Sequence, residues 1–214
     1  EQSQTLLVTQ GDMHTAHILD KLKKINGVEV ERSRPRVAFK ETVRGKAEMQ
    51  GRHKKQSGGR GQFGDVHLRI EANERGAGFE FADEIVGGVV PGKFIPAVEK
   101  GCRETLVDGL IAGYEVVDLK VALFFGSYHN VDSSEAAFKT AARLALQGAA
   151  TEKANELKPV ILEPIMNVRI VVPKDYMGDV MGDISTRRGA IQGSEADGPF
   201  QVISAQVPED ELYH

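Results

Sequence analysis

The chain has 214 residues, 41% of them hydrophobic, enough for one or two ordinary domains, and a formal net charge of −4, which excludes a generally basic coat for nucleic acid and makes any cationic site a local feature. A single cysteine excludes an internal disulfide framework and fits a reducing compartment. No leader-like run or stretch of about 18 apolar residues occurs, so a soluble, cytoplasmic chain with no membrane partner is expected.

In chain order, residues 5–9 read as a strand and 12–26 as a helix. Ile18, Leu19, Leu22 and Ile25 share one helix face, and Gly27 stands just past its end as a C-cap. Residues 28–31 read as a second strand, completing a β-α-β piece too small to bury its own sheet. His14 and His17 lie three apart on that helix, but with no Cys or further His nearby no metal site is expected. Residues 32–36, Arg-Ser-Arg-Pro-Arg, break the pattern and mark a boundary.

Residues 36–43 alternate Val37, Phe39 and Val43 with Ala38, Lys40 and Thr42, as a half-buried strand does. Val66, Leu68, Ile70 and Ala72 repeat that period after an intervening stretch, 52–64, which reads Arg-His-Lys-Lys-Gln-Ser-Gly-Gly-Arg-Gly-Gln-Phe-Gly. Composition alone makes this stretch a solvated loop. Carried on two stiff strands, it becomes a cationic probe. Gly58, Gly59, Gly61 and Gly64 allow close backbone approach. Arg52, Lys54, Lys55 and Arg60 suit phosphates. Gln56, Ser57 and Gln62 can exchange hydrogen bonds with bases or ribose. Residues 73–78 then form a turn, and 79–85 a third strand of the same meander.

Residues 87–93 match the phosphate-binding loop G-x-x-x-x-G-K, but Phe94 stands where a Ser or Thr would hold magnesium and Pro91 removes an N–H. A glycine-rich entry to a helix over 95–107 is the expected reading, with a phosphotransferase as the discarded rival. Ile95, Val98, Cys102 and Leu106 form that helix's apolar stripe, so Cys102 is expected to pack rather than react. Residues 115–125 form the clearest strand, with Val117, Leu119, Val121, Leu123 and Phe125 on one face. It leads into a second polar loop, 126–131, after which Asp132 and Glu135 read as a capping box. The following alanine-rich helix carries Phe138, Ala141, Ala142, Ala145 and Ala149 on one side. Residues 165–172 read as a strand, 174–188 as a helix with Met177, Val180, Met181 and Ile184 inward and Gly189 as its stop, and 200–207 as a strand. Both ends are thus expected to be partial domains around one complete domain. That domain reads as α+β, with helices on one face of a mostly antiparallel sheet. If its two polar loops share a sheet edge, they form one composite tip.

Residues 52–64 resemble the tip loop of domain IV of bacterial elongation factor G. Residues 87–98 are similar to the run before that domain's first helix, and 125–135 to its other tip loop. Residues 162–166 and 178–189 resemble the start of domain V, and 11–14, more loosely, the last helix of domain III. The resemblance implies the second half of a ferredoxin-like domain over 1–35, a domain IV with a left-handed β-α-β crossover of ribosomal-protein type over 36–158, and the first half of a ferredoxin-like domain over 159–214.

It also implies that the intact parent is a GTPase using GTP and Mg, while this stretch holds no catalytic residue, cofactor or metal. The implied partners are the ribosome's small-subunit decoding site, tRNA and mRNA, met by a monomer. Lys54, Lys55, Gln56, Ser57, Gly58, Gly59 and Arg60, with Ser127, Tyr128, His129 and Asn130, are the implied RNA-contacting tip. Arg187 and Arg188 either complement a helix C-terminus or face ribosomal RNA. Asn130 stands where an Asp is usual, and 1–35 departs more than the rest, which implies a divergent or second-copy member acting in translocation, recycling or protection of ribosomes. An autonomous RNA-binding or ribosomal protein is the alternative.

Overall fold

The computed structural model describes residues 4–56, 59 and 61–213. Two units are distinguished: Phe39–Leu162, and the stretches on either side of it. The first helix, α1 (Asp12–Asn26), ends as its sequence requires. Gly27 turns left-handed at φ 65°, and the N–H groups of Gly27 and Val28 return to the carbonyls of Lys23 and Leu22. The flanking strands expected at 5–9 and 28–31 do not form. A strand exists only as part of a ladder, and neither stretch finds a pairing partner among the described residues. Both are irregular, with Leu6, Leu7, Val8, Val28 and Val30 exposed. The Gln4 side-chain amide clasps the Arg36 backbone, donating to its carbonyl and accepting from its N–H.

The central unit runs β1 (Lys40–Val43), β2 (Lys46–Lys55), β3 (Gln62–Ala72), β4 (Phe79–Asp83), α2 (Ile95–Asp108), β5 (Leu119–Ser127), α3 (Glu135–Thr151), α4 (Ala154–Leu157) and β6 (Pro159–Leu162). Its main sheet has the order β2-β3-β5-β4, with β1 and β6 forming a separate antiparallel pair. Residues 79–83 are therefore not a third meander strand. β5 inserts between β3 and β4, and β4 runs parallel to β5 through the α2 crossover. The strand with the longest apolar run takes a central place, while half-exposed β4 lies at the edge.

The first arm of the basic stretch is β2, which the sequence reading missed. Ala47, Met49, Gly51 and His53 face inward on it, and the glycine hides the period. A Cβ at Gly51 would sit 2.6 Å from the backbone nitrogen of Ala145, so α3 comes down almost onto the strand. Gly64 makes the same concession, with a Cβ there 2.5 Å from the carbonyl oxygen of Ala137. Arg52 to Lys55 consequently belong to β2 and Gln62 to Gly64 to β3, with Lys55 paired to Gln62. Only residues 56–61 connect them.

β5 carries a second departure. His67 pairs with Phe125 but Leu68 with Leu123, so Phe124 is the extra residue of a β-bulge. The alternation breaks there, and Phe125 leaves the apolar face that the sequence assigned it.

The core between sheet and helices is built from Leu68, Ile70, Val121, Leu123, Val98, Leu106, Phe138 and Leu146. Cys102 lies in it, and burial pushes its thiol up to about 12, which fits packing and not reactivity. Glu41 is the most demanding buried group, at 1% exposure. Its carboxylate accepts four backbone N–H bonds, from Leu110 and Ile111 on Oε2 and from Ala112 and Tyr114 on Oε1, at 2.6–3.0 Å. Burial alone would raise its pKa, but these four donors together hold it below the usual 4.5.

The C-terminal stretch contributes β7 (Ile165–Pro173), α5 (Met177–Thr186), β8 (Ala190–Asp197) and β9 (Phe200–Pro208). Their sheet has the order β7-β9-β8 with antiparallel pairs, and Ile184, Ile203, Ala205 and Val207 form its core. A 3₁₀ turn, Lys174–Tyr176, precedes α5. β8 was not expected, since its residues are largely polar and exposed. The molecule is α+β throughout, and no helix among the described residues is long and apolar enough to cross a membrane.

Two stability tests follow from this packing. Glu41→Gln replaces one of two acceptor oxygens by an NH₂ facing N–H groups, and is expected to lower unfolding free energy by about 2–3 kcal/mol at pH 7. Because the folded pKa lies below 4.5, the carboxylate's contribution is complete above that pH and fades in more acid solution. Urea titrations should therefore show the gap between the two proteins narrowing at pH 3. Gly51→Ala should cost about 1–3 kcal/mol by forcing α3 off β2, whereas Gly92→Ala, with open space around its Cβ position, should leave the melting temperature nearly unchanged.

Candidate functional site

Both polar loops lie at one end of the main sheet. β2 ends and β3 begins there, and the end of β5 is registered beside them through the pair Asp65 and Ser127. The Phe63 backbone holds the loops together. Its N–H donates to the Asp132 carbonyl at 2.9 Å, and its carbonyl accepts from the Ser133 hydroxyl at 2.9 Å. That hydroxyl also accepts the His129 N–H at 2.9 Å. The Phe63 and His129 rings meet at a tilt, centroids 6.5 Å apart. At Gly61 a Cβ would lie 2.8 Å from the Asp132 carboxylate, so the two connections touch closely.

A buried carboxylate lies beneath this strap. Asp65 accepts the Ser127 hydroxyl at 2.6 Å and the Gln50 side-chain N–H at 2.7 Å, tying β2, β3 and β5 together. Ser127, expected at the RNA surface, is half-buried and engaged in this support. Sequence reasoning missed Asp65, Phe63 and Ser133. An Asp inside a strand is uncommon, and that was the available signal for Asp65.

Lys54, Lys55, Gln56 and Gly59 are exposed at the loop end, as are Tyr128, His129 and Asn130 from the other loop. Ser57, Gly58 and Arg60 lie outside the described residues. The Nδ1 of His129 is 3.4 Å from the N–H groups of Val131 and Asp132 and 3.5 Å from the Asp132 carboxylate. The expected capping box is replaced. Ser134 is the N-cap of α3, its Oγ accepting from Ala137 N–H, while Asp132 serves the loop contacts.

The other sites weighed from sequence fall elsewhere. Arg187 binds Asp183 and the Glu211 carbonyl. Arg188, left-handed at φ 55°, forks onto Glu163 and reaches Glu211 as well. Phe94 is buried and stacked on Phe138, centroids 4.7 Å apart, so the phosphate-loop pattern ends in a core ring. His14 Nδ1 accepts a backbone N–H from Gln10.

Residues 35–155 match the family model described as elongation factor G, domain IV, and residues 160–214 match that of the elongation factor G C-terminus. A crystal structure of a protein from Thermus thermophilus is similar, with 42% identity and a TM-score of 0.79. The match covers 94% of this chain and 29% of that one, so the chain spans under a third of that protein's length. The domain IV match takes in more than half of the chain, and the chain belongs to the elongation factor G family, of which it carries domain IV followed by the C-terminal region.

Proposed function

We propose that this chain is the ribosome-contacting arm of a translational GTPase that acts as a cytoplasmic monomer. Its two-loop tip enters the small-subunit decoding site and holds the tRNA–mRNA duplex forward as the tRNA leaves. The observation that carries this reading is the strap at Phe63, which makes one rigid end out of two polar loops and leaves Gln56, Tyr128 and His129 exposed on it.

Every codon must be accepted, so the useful contacts are to ribose and phosphate and not to base edges. Hydroxyl, amide and imidazole groups on a fixed backbone suit that task. Lys54 and Lys55, at the end of β2, add an attraction that does not depend on sequence. Hydrolysis of GTP, with its Mg, is assigned to a separate domain of the intact protein. Arg188 could reach ribosomal RNA only by giving up Glu163 and Glu211, so RNA contact is assigned to the tip. The phosphotransferase reading loses its site to the buried Phe94 ring.

In the intact protein, His129→Ala should slow translocation on ribosomes tenfold or more, about 1.4 kcal/mol or above in barrier, with ribosome-stimulated GTP hydrolysis nearly unchanged. Equal loss of both activities would contradict the assignment. Ser133→Ala removes the hydroxyl shared by His129 and Phe63, and should reproduce part of that translocation defect at a stability cost of only about 1 kcal/mol. Both quantities are read from stopped-flow kinetics and a denaturation curve on the same preparation.

A further inference from the structure

The tip uses one end of the main sheet, and a different surface lies along its flank. α2 and α3 occupy one face of the sheet, α3 against β2 and β3 and α2 against α3 and β4. Among the described residues, no helix of the central unit packs on the other face. On it the central strands β3 and β5 present His67, Phe124 and Phe125 toward the tip, with the paired charges Arg69, Glu71 and Lys120 farther back. His67 lies 5.1 Å from the Phe125 ring and 6.0 Å from the Phe124 ring, both edge-on. The β-bulge at Phe124 creates this cluster. It sets two successive phenylalanines beside the same histidine, and it leaves Phe125 47% exposed where unbroken alternation would have buried it. Bulges re-aim side chains next to functional sites.

The charges around the rings are ordered. Arg52 lies over the Phe63 ring at 5.6 Å, and Lys54 is cross-strand from Phe63, both exposed on the tip-side half of this face. Neither has a carboxylate partner among the described residues. The acid of that half, Asp65, is buried with both oxygens hydrogen-bonded. Farther back, Glu48 and Glu84 are both held by Arg69, which itself lies 5.0 Å over the Phe124 ring.

We propose that this face is a second RNA-binding surface, which stacks unpaired bases of single-stranded RNA on Phe125 and His67 while Arg52 and Lys54 take the adjacent phosphates. A four-stranded sheet with helices behind and aromatic side chains on its central strands is a physical platform for splayed bases. Every base has a π-face, so such stacking tolerates any sequence. A duplex keeps its bases stacked inside and cannot lie flat on the rings. The surface adjoins the tip and shares Lys54 with it, but Phe125 and His67 take no part in the tip contacts, so the Phe125 variants test it apart from the tip reading.

The test measures anisotropy of a labelled single-stranded hexaribonucleotide titrated with the full chain. Phe125→Ala and Phe125→Leu should each weaken binding about 5- to 150-fold, the range for one stacked base, and Phe125→Tyr should restore it. An abasic hexamer of equal charge should bind the unaltered chain far more weakly than the hexamer does, and Gly92→Ala, with open space around its Cβ position, should leave hexamer affinity unchanged. Failure of the unaltered chain to bind, equal affinity for the abasic strand or for a blunt RNA duplex, or unchanged hexamer affinity in the Phe125 variants would overturn the proposal. Because Tyr and Leu both preserve bulk at a half-exposed position, a fall with Leu and recovery with Tyr cannot come from misfolding.

Discussion

The backbone of a single residue decides whether this domain has a tip or two unrelated loops. The Phe63 N–H and C=O would ordinarily face water, since β3 has no strand neighbour on that side beyond Ser127. They are instead satisfied by Asp132 and Ser133, and the Ser133 hydroxyl both donates to Phe63 and accepts from His129. Each such bond adds only about 1 kcal/mol net. Their larger effect is to spend ordering entropy at folding that would otherwise oppose binding. Asp65 supports the strap from beneath, converting a polar residue that would destabilise an ordinary strand into the joint of three strands.

The opposite end of the sheet is secured by the same chemistry. Glu41 gathers four backbone N–H groups of the segment between α2 and β5, and Asp118, itself left-handed at φ 56°, accepts the Gly78 N–H through its carboxylate. Both carboxylates are held below their usual pKa, because the desolvation that would raise them is outweighed by backbone donors. The far end of the arm is thus fixed by buried charge satisfied with peptide dipoles. The near end is fixed by backbone and hydroxyl bonds that leave its outer side chains exposed. A rigid root and a polar, pre-ordered end are what a mechanical contact needs.

What the sequence disclosed, and what it hid, divides along the range of the interactions. Helix α1 with its Gly27 cap and the Leu119–Leu123 alternation were legible because each is specified within a few residues. The polar loops were legible by composition. β2 was hidden because Gly51 answers to α3, more than ninety residues later in the chain, and a glycine interrupts any periodic count. The strands expected at 5–9 and 28–31 failed for the converse reason, since a local pattern cannot supply a missing partner. The parallel placement of β4 and the bulge at Phe124 depend on which strand wins the sheet centre. Ser134 displaced Asp132 as the cap because Asp132 had a tertiary use for its backbone, which no local motif records. The exposed loop-end residues could be named in advance, whereas those that hold the loops in place could not.

The net charge of −4 understates how a polyanion meets this surface. β3 spans 11 residues, about 36 Å at 3.3 Å per residue, while solvated charges are screened over about 8–10 Å. An approaching RNA therefore responds to charges at its own end of the sheet and not to the sum. On the rear half of that sheet the acids are paired, Glu71 with Lys46, Glu80 with Lys120, and Glu48 and Glu84 sharing Arg69, so the four carboxylates are offset down to one net negative charge. Arg52, Lys54 and Lys55 stand at the other end, where the Asp65 carboxylate is turned to internal bonds and the Asp132 carboxylate lies 3.5 Å from His129. Pairing the rear charges contributes little stability, but it keeps their field from opposing the tip. A mildly acidic protein in this way keeps a cationic end although its net charge is negative.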